Sequence, residues 1–116
     1  MKETANVCQS MPRKQQPNVL PLEGEIDLHV SPEVAQSLRT IITKRPNVVI
    51  VDLAKVTYID SSGLAVLIEG MQKIQEYGGI FAVAGVQESV QHIFEIARLD
   101  QVFKIFPDID TALAAK

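Results

Sequence analysis

The chain has 116 residues, 47% apolar and 22% charged, so it can fold as one globular domain and is neither disordered nor of low complexity. A net charge of −3 with 5% aromatic residues leaves no basic stripe to neutralise phosphates and no platform to stack bases, which argues against direct nucleic-acid binding. One cysteine, Cys8, makes no internal disulfide, and apolar stretches such as Val48 to Val51 are far too short to span a membrane.

The N-terminus "MKETANVCQSM" lacks the apolar core of a signal peptide. A cytoplasmic protein without membrane insertion is therefore expected. Cys8 has no basic cluster beside it, so it reads as an inert thiol. Residues 1–18 are polar and broken by Pro12 and Pro17, and Ala5 to Ser10 is the only strand candidate among them.

Val19 to Ile26 reads as a strand that Pro21 confines to an edge or an irregular position, with a bulge or turn at Gly24. Ser31-Pro32-Glu33 is a helix start, with Ser31 as cap, Pro32 in the first position and Glu33 at the positive end of the dipole. Val34, Leu38, Ile41 and Ile42 then recur on one face. Lys44-Arg45 reads as a solvated pair, and Pro46-Asn47 stops the helix. "NVVIVDL" is a continuous β-branched run, the mark of a central strand buried on both faces, and "AKVTYID" carries the chain onward.

A second helix is expected from about Ser62 to Tyr77, with Leu64, Leu67, Ile68, Met71 and Ile74 or Gln75 inward and a Glu69–Lys73 pair outward. Gly78-Gly79 ends it. "IFAVAGV" is the next strand. A third helix follows over Glu88 to Leu99, with Val90, Ile93, Phe94 and Ala97 inward. "VFKIF" is a short last strand, and "PDIDTALAAK" opens a last helix capped by Asp108. Strands alternating with helices predict an α/β layer with a mostly parallel core.

The chemistry concentrates in "YIDSSGLAVL", where a buried strand hands over to a helix. Ligands of α/β sheets bind beyond the carboxyl ends of the strands. A helix start offers free N–H groups and a partial positive charge to an anion on Ser61 or Ser62. Gly63 lets another surface approach the backbone. Asp60, Ser61 and Ser62 are all good caps, and on spacing alone a cap is the commoner reason for "DSSG".

"VDLAKVTYIDSSGLAVL" together with "LEGEIDLHVSPEV" resembles the STAS domain, in particular the bacterial anti-sigma factor antagonists. The matching positions are Gly24, Glu25, Ile26 and Asp27, then Asp52 and Leu53, then Asp60, Ser61, Ser62, Gly63 and Leu64. The resemblance runs over about Val19 to Leu113 of a single domain, with residues 1–18 a weaker match. It implies the STAS fold, a mixed central sheet of four to five strands with about four helices packed against it. It also implies that Ser61 is phosphorylated by an anti-sigma factor serine kinase, that a phosphatase resets it, and that the unphosphorylated form binds the anti-sigma factor. Asp27, Leu28, His29, Asp60, Ser62, Gly63 and Ala65 would then form the partner surface, with Ser62 as cap or neighbouring contact. No cofactor, no metal and no catalysis are implied, and a monomer or weak dimer is expected. The chain departs from the family pattern at Arg98 and Ala65, where relatives often carry glycine.

Other chemistries find less support. A serine nucleophile would need a base, and only His29 and His92 exist, without a G-x-S-x-G elbow. Asp27, Asp52 and Asp60 have no His or Cys set to complete a metal site. A phospho-aspartate receiver would need an early acidic pair and a late loop lysine, whereas Glu23, Glu25 and Asp27 alternate along the chain. STAS domains also serve as small subunits of lipid ABC transporters or in stress-sensing assemblies. The Ser-Ser motif here favours the regulatory branch over the Thr-Ala of the transporter subunits.

Overall fold

The computed structural model describes residues 18–115. The strands are β1 (Asn18–Ile26), β2 (Val48–Ile59), β3 (Ile80–Ala84) and β4 (Lys104–Phe106). The helices are α1 (Ser31–Thr43), α2 (Ser61–Glu76), α3 (Glu88–Ile96) and α4 (Ile109–Ala115). The fold is the expected α/β architecture. Its sheet has the order β1-β2-β3-β4, and every pairing among the described residues is parallel. The strand expected at Ala5 to Ser10 lies outside the described residues.

A parallel sheet needs cover on both faces, and the alternation in β2 supplies it. Val49, Val51 and Leu53 join Phe81 and Val83 under α1, α2 and α3, where Val34, Leu38, Leu67, Met71, Ile74, Val90 and Phe94 close the larger core. Val48 and Ile50 face the other way, with Ala82 and Ala84, toward Ala112 of α4. The small alanines let that short helix lie close to the sheet.

The run "NVVIVDL" is not the whole central strand. β2 continues without a break to Ile59. Its first five residues pair with β3, while its second half pairs with β1 alone. On the vacated side, Gln87 Nε2 donates to the Ala54 carbonyl at 2.8 Å and Ser89 Oγ to the Thr57 carbonyl at 3.2 Å. Side chains at the start of α3 thus meet carbonyls that a strand would otherwise satisfy. β1 is irregular as expected: its register slips between Pro21 and Glu23 and again after Gly24, which sits at φ +78°.

Three helix ends differ from expectation. Ser31 does not cap α1 but is its first residue, and it is buried. Asp27 organises that start: its carbonyl accepts from Val30 N at 3.1 Å and Ser31 N at 2.8 Å. Its carboxylate accepts from His29 N at 3.0 Å and Val30 N at 3.2 Å. An aspartate four residues earlier closes the turn before the serine is reached. At the other end Lys44 and Arg45 are exposed as expected, but Arg45 also makes a contact the sequence did not suggest. It adopts φ +52° and lays its guanidinium 4.7 Å from the centre of the Tyr77 ring. The Tyr77 hydroxyl donates to the Pro46 carbonyl at 2.8 Å. Finally, α3 stops at Ile96, so Ala97 is exposed and does not point inward. Arg98 beyond it sits at φ +64°, the left-handed region that glycine occupies most easily.

The remaining ends match expectation. Gly78, at φ +88°, terminates α2. Asp108 caps α4 through Thr111 N at 2.7 Å.

Candidate functional site

Parallel pairing of β1 with β2 brings the residues after Ile26 and after Ile59 to the same end of the sheet. Asp60 N donates to the Ile26 carbonyl at 3.1 Å and ties the start of α2 to the end of β1. The two loops that carry the candidate residues, Asp27 to Val30 and Asp60 to Gly63, therefore form one surface.

Asp60 is the N-cap of α2 and has an extended backbone, φ −101° and ψ −174°. Its Oδ1 accepts from Ser62 N at 2.9 Å, from Gly63 N at 3.1 Å and from the Ser62 hydroxyl at 2.6 Å. Of the two roles expected of Ser62, cap or neighbouring contact, the first is thus corrected. Its own hydroxyl is spent on the cap made by the residue two before it. An aspartate reaches the second and third N–H groups of a helix from the cap position, but a serine can do the same, so the rule by itself does not separate Asp60 from Ser61 and Ser62.

The Ser62 hydroxyl is the main reason that the Asp60 carboxyl titrates below its ordinary value. Burial opposes it, and the backbone N–H groups of Gly63, Ser62 and Leu28 add to the lowering. The carboxyl is thus more acidic folded than unfolded. Its contribution to stability is present above the ordinary aspartate range and is lost as pH falls through the lowered value. The difference in Tm between wild type and Asp60→Ala is expected to be full at neutral pH and to shrink steadily below about pH 4. Melting curves from neutral to acid pH check this, and a constant difference would contradict it.

Ser61 is the first residue of α2, and its side chain is exposed. Its hydroxyl has no hydrogen-bond partner among the described residues. Leu28 is 71% exposed. The His29 side chain is 94% exposed, with Nδ1 4.0 Å from Asp27 Oδ1. Ala65 is exposed on the first turn of α2. Gly63 differs: it is buried, and a Cβ there would lie 2.6 Å from Ile59 Cγ1 and 2.9 Å from Ile26 Cγ2. The close approach that this glycine permits is to the strand ends of its own chain.

The arrangement can present a hydroxyl but does not activate one. His29 leans on Asp27, and His92 lies exposed on α3 with Nδ1 4.0 Å from Glu95 Oε1. Among the described residues, no three His, Cys, Asp or Glu side chains converge to hold a metal ion. No helix among them is long and apolar enough to cross a membrane.

Comparison with known proteins identifies the family and the fold. The sequence profile described as the STAS domain matches residues 10–112. The anti-sigma F factor antagonist of Paenibacillus polymyxa is 31% identical over 98 residues, 84% of this chain and 81% of that one. The crystal structure of an anti-sigma factor antagonist from Mycobacterium paratuberculosis superposes with a TM-score of 0.77 at 28% identity, covering 84% of this chain and 82% of that one. A sulfate transporter family protein from Wolinella succinogenes shares the fold at a TM-score of 0.74 and 22% identity, over 84% and 82% of the two chains.

Proposed function

Because the chain belongs to the STAS domain family, we propose that it is an anti-sigma factor antagonist, a binding protein whose docking is switched by phosphorylation of Ser61. The observation that carries this reading is the exposed Ser61 hydroxyl, presented on a helix start that Asp60 has already capped. Unphosphorylated, the surface of Asp27, Leu28, His29, Asp60, Ser61 and Ala65 binds an anti-sigma factor that is also a serine kinase. Phosphorylation adds a charge of about −1.5 to −2 at neutral pH. The Ser62 and Gly63 N–H groups that could receive an anion are already held by Asp60. The phosphate is left beside a carboxylate on the docking face, where its bulk and uncompensated charge unseat the partner. A phosphatase restores the binding form. The protein acts in the cytoplasm as a monomer or weak dimer, without cofactor, metal or catalysis of its own.

The Wolinella likeness shows that a sulfate transporter family protein shares this fold. The Ser61-Ser62 pair favours the regulatory role here. The test is incubation with ATP and a purified anti-sigma serine kinase, read by intact mass. Wild type is expected to gain one phosphate and Ser61→Ala none. Full uptake by Ser61→Ala would refute the site.

A further inference from the structure

Two serines stand side by side at the start of α2, and the structure treats them differently. The Ser62 hydroxyl donates to Asp60 Oδ1 at 2.6 Å while the same oxygen accepts Ser62 N and Gly63 N. The Ser61 hydroxyl is exposed and has no partner among the described residues. We infer that Asp60 is a specificity-determining positioning residue: by holding the Ser62 hydroxyl in the helix cap, it leaves Ser61 as the one hydroxyl a kinase can phosphorylate. This rests on the proposed function above and adds how the site is chosen.

In the transfer, the Ser61 oxygen attacks the γ-phosphorus of the kinase's ATP. The bond to the β,γ-bridging oxygen breaks, ADP leaves, and the hydroxyl proton passes to a base of the kinase. Ser62 would first have to leave Asp60, giving up a short charge-assisted hydrogen bond. It would also have to turn a half-buried side chain outward. The opposite reading, in which Asp60 serves as the base that activates Ser62, meets two obstacles. The carboxylate oxygen that faces the Ser62 hydroxyl also accepts two backbone N–H groups. Those bonds also hold it more acidic than an ordinary aspartate, which makes it a poor proton acceptor.

The experiment measures the ratio of phosphate on Ser62 to phosphate on Ser61 by peptide mapping after reaction with ATP and a purified anti-sigma serine kinase. Wild type is expected to carry its phosphate on Ser61. Asp60→Ala removes the acceptor and is expected to raise the Ser62 to Ser61 ratio about tenfold, the scale of one charge-assisted hydrogen bond. Asp60→Ser, which keeps a cap oxygen for the helix, guards against loss of folding and is expected to shift the ratio in the same direction. Asp60→Asn retains an acceptor at the same place and is expected to restore the Ser61 preference. The double variant Ser61→Ala, Asp60→Ala is expected to take phosphate on Ser62, which Ser61→Ala alone does not. A merely structural role for Asp60 would change the total uptake and the Tm but not the ratio. An unchanged ratio in both Asp60→Ala and Asp60→Ser overturns the inference while leaving Ser61 as the switch. Phosphate on Ser62 in wild type, or none at all, overturns both.

Discussion

Gly63→Ala is expected to lower stability by about 2 to 3 kcal/mol, the usual scale of overpacking. For a domain of this size that is a fall in Tm of roughly 10 °C. Alanine is otherwise the better helix former, by up to about 1 kcal/mol at an interior position, so the sign of the change is diagnostic. The added methyl would stand 2.6 Å from Ile59 Cγ1, 2.9 Å from Ile26 Cγ2 and 3.1 Å from the Ile26 carbonyl oxygen. Both isoleucines are buried in the core, and that carbonyl receives Asp60 N. None of the three can yield without moving a strand end. Gly70, in the same helix, is the control. A methyl there meets Leu38 Cδ1 at 3.2 Å and Phe81 Cε2 at 3.6 Å, the tips of side chains that can adjust. Gly70→Ala is therefore expected to be close to neutral. Thermal and urea unfolding of the two variants decides the matter, and a Gly63→Ala domain as stable as wild type would show that α2 does not depend on this contact. Because the same contact holds the Asp27 and Asp60 loops together, Gly63→Ala is expected to weaken partner docking as well.

The elements of this fold are legible in the sequence because their patterns are strong. The β-branched run in β2, the one-sided apolar spacing of α2 and the cap at Asp108 each depend on residues close in the chain. The misreadings share a cause, which is competition between neighbouring residues able to do the same job. Ser31 is a good cap, but Asp27 closes the turn first. Ser62 is a good cap, but Asp60 holds both its N–H and its hydroxyl. Only three-dimensional geometry says which wins. The continuation of β2 past Leu53 was hidden for another reason. Its partner on one side is a strand, and on the other it is the side chains of Gln87 and Ser89, more than thirty residues away in the chain. The stacking of Arg45 on Tyr77 is likewise a long-range contact that no local pattern encodes. The site residues were visible as a cluster of small and acidic types at a strand-to-helix junction. Their division of labour, with Gly63 packing inward and Ser61 facing out, was not.

Ser61→Asp is expected to weaken partner binding by about 100-fold, since a charge buried without a counter-charge in an interface costs several kcal/mol. Ser61→Ala is expected to bind like wild type. The argument is electrostatic and local. A carboxylate at residue 61 adds a charge next to Asp60, on a face that already displays Asp27. Unfolding does not explain the loss, because a negative charge in the first turn of a helix is favourable, so the Tm of Ser61→Asp should not fall below that of Ser61→Ala. Shape does not explain it either if Ser61→Asn, nearly identical in size but uncharged, keeps most of the affinity. Raising the salt concentration screens exposed charges beyond about 10 Å at 0.1 M and should recover part of the binding of Ser61→Asp, but not that of a sterically blocked variant. Isothermal titration of the three variants with the purified anti-sigma factor, at low and high salt, separates these causes. Equal affinities for Ser61→Ala and Ser61→Asp would mean that charge at this helix start does not govern docking.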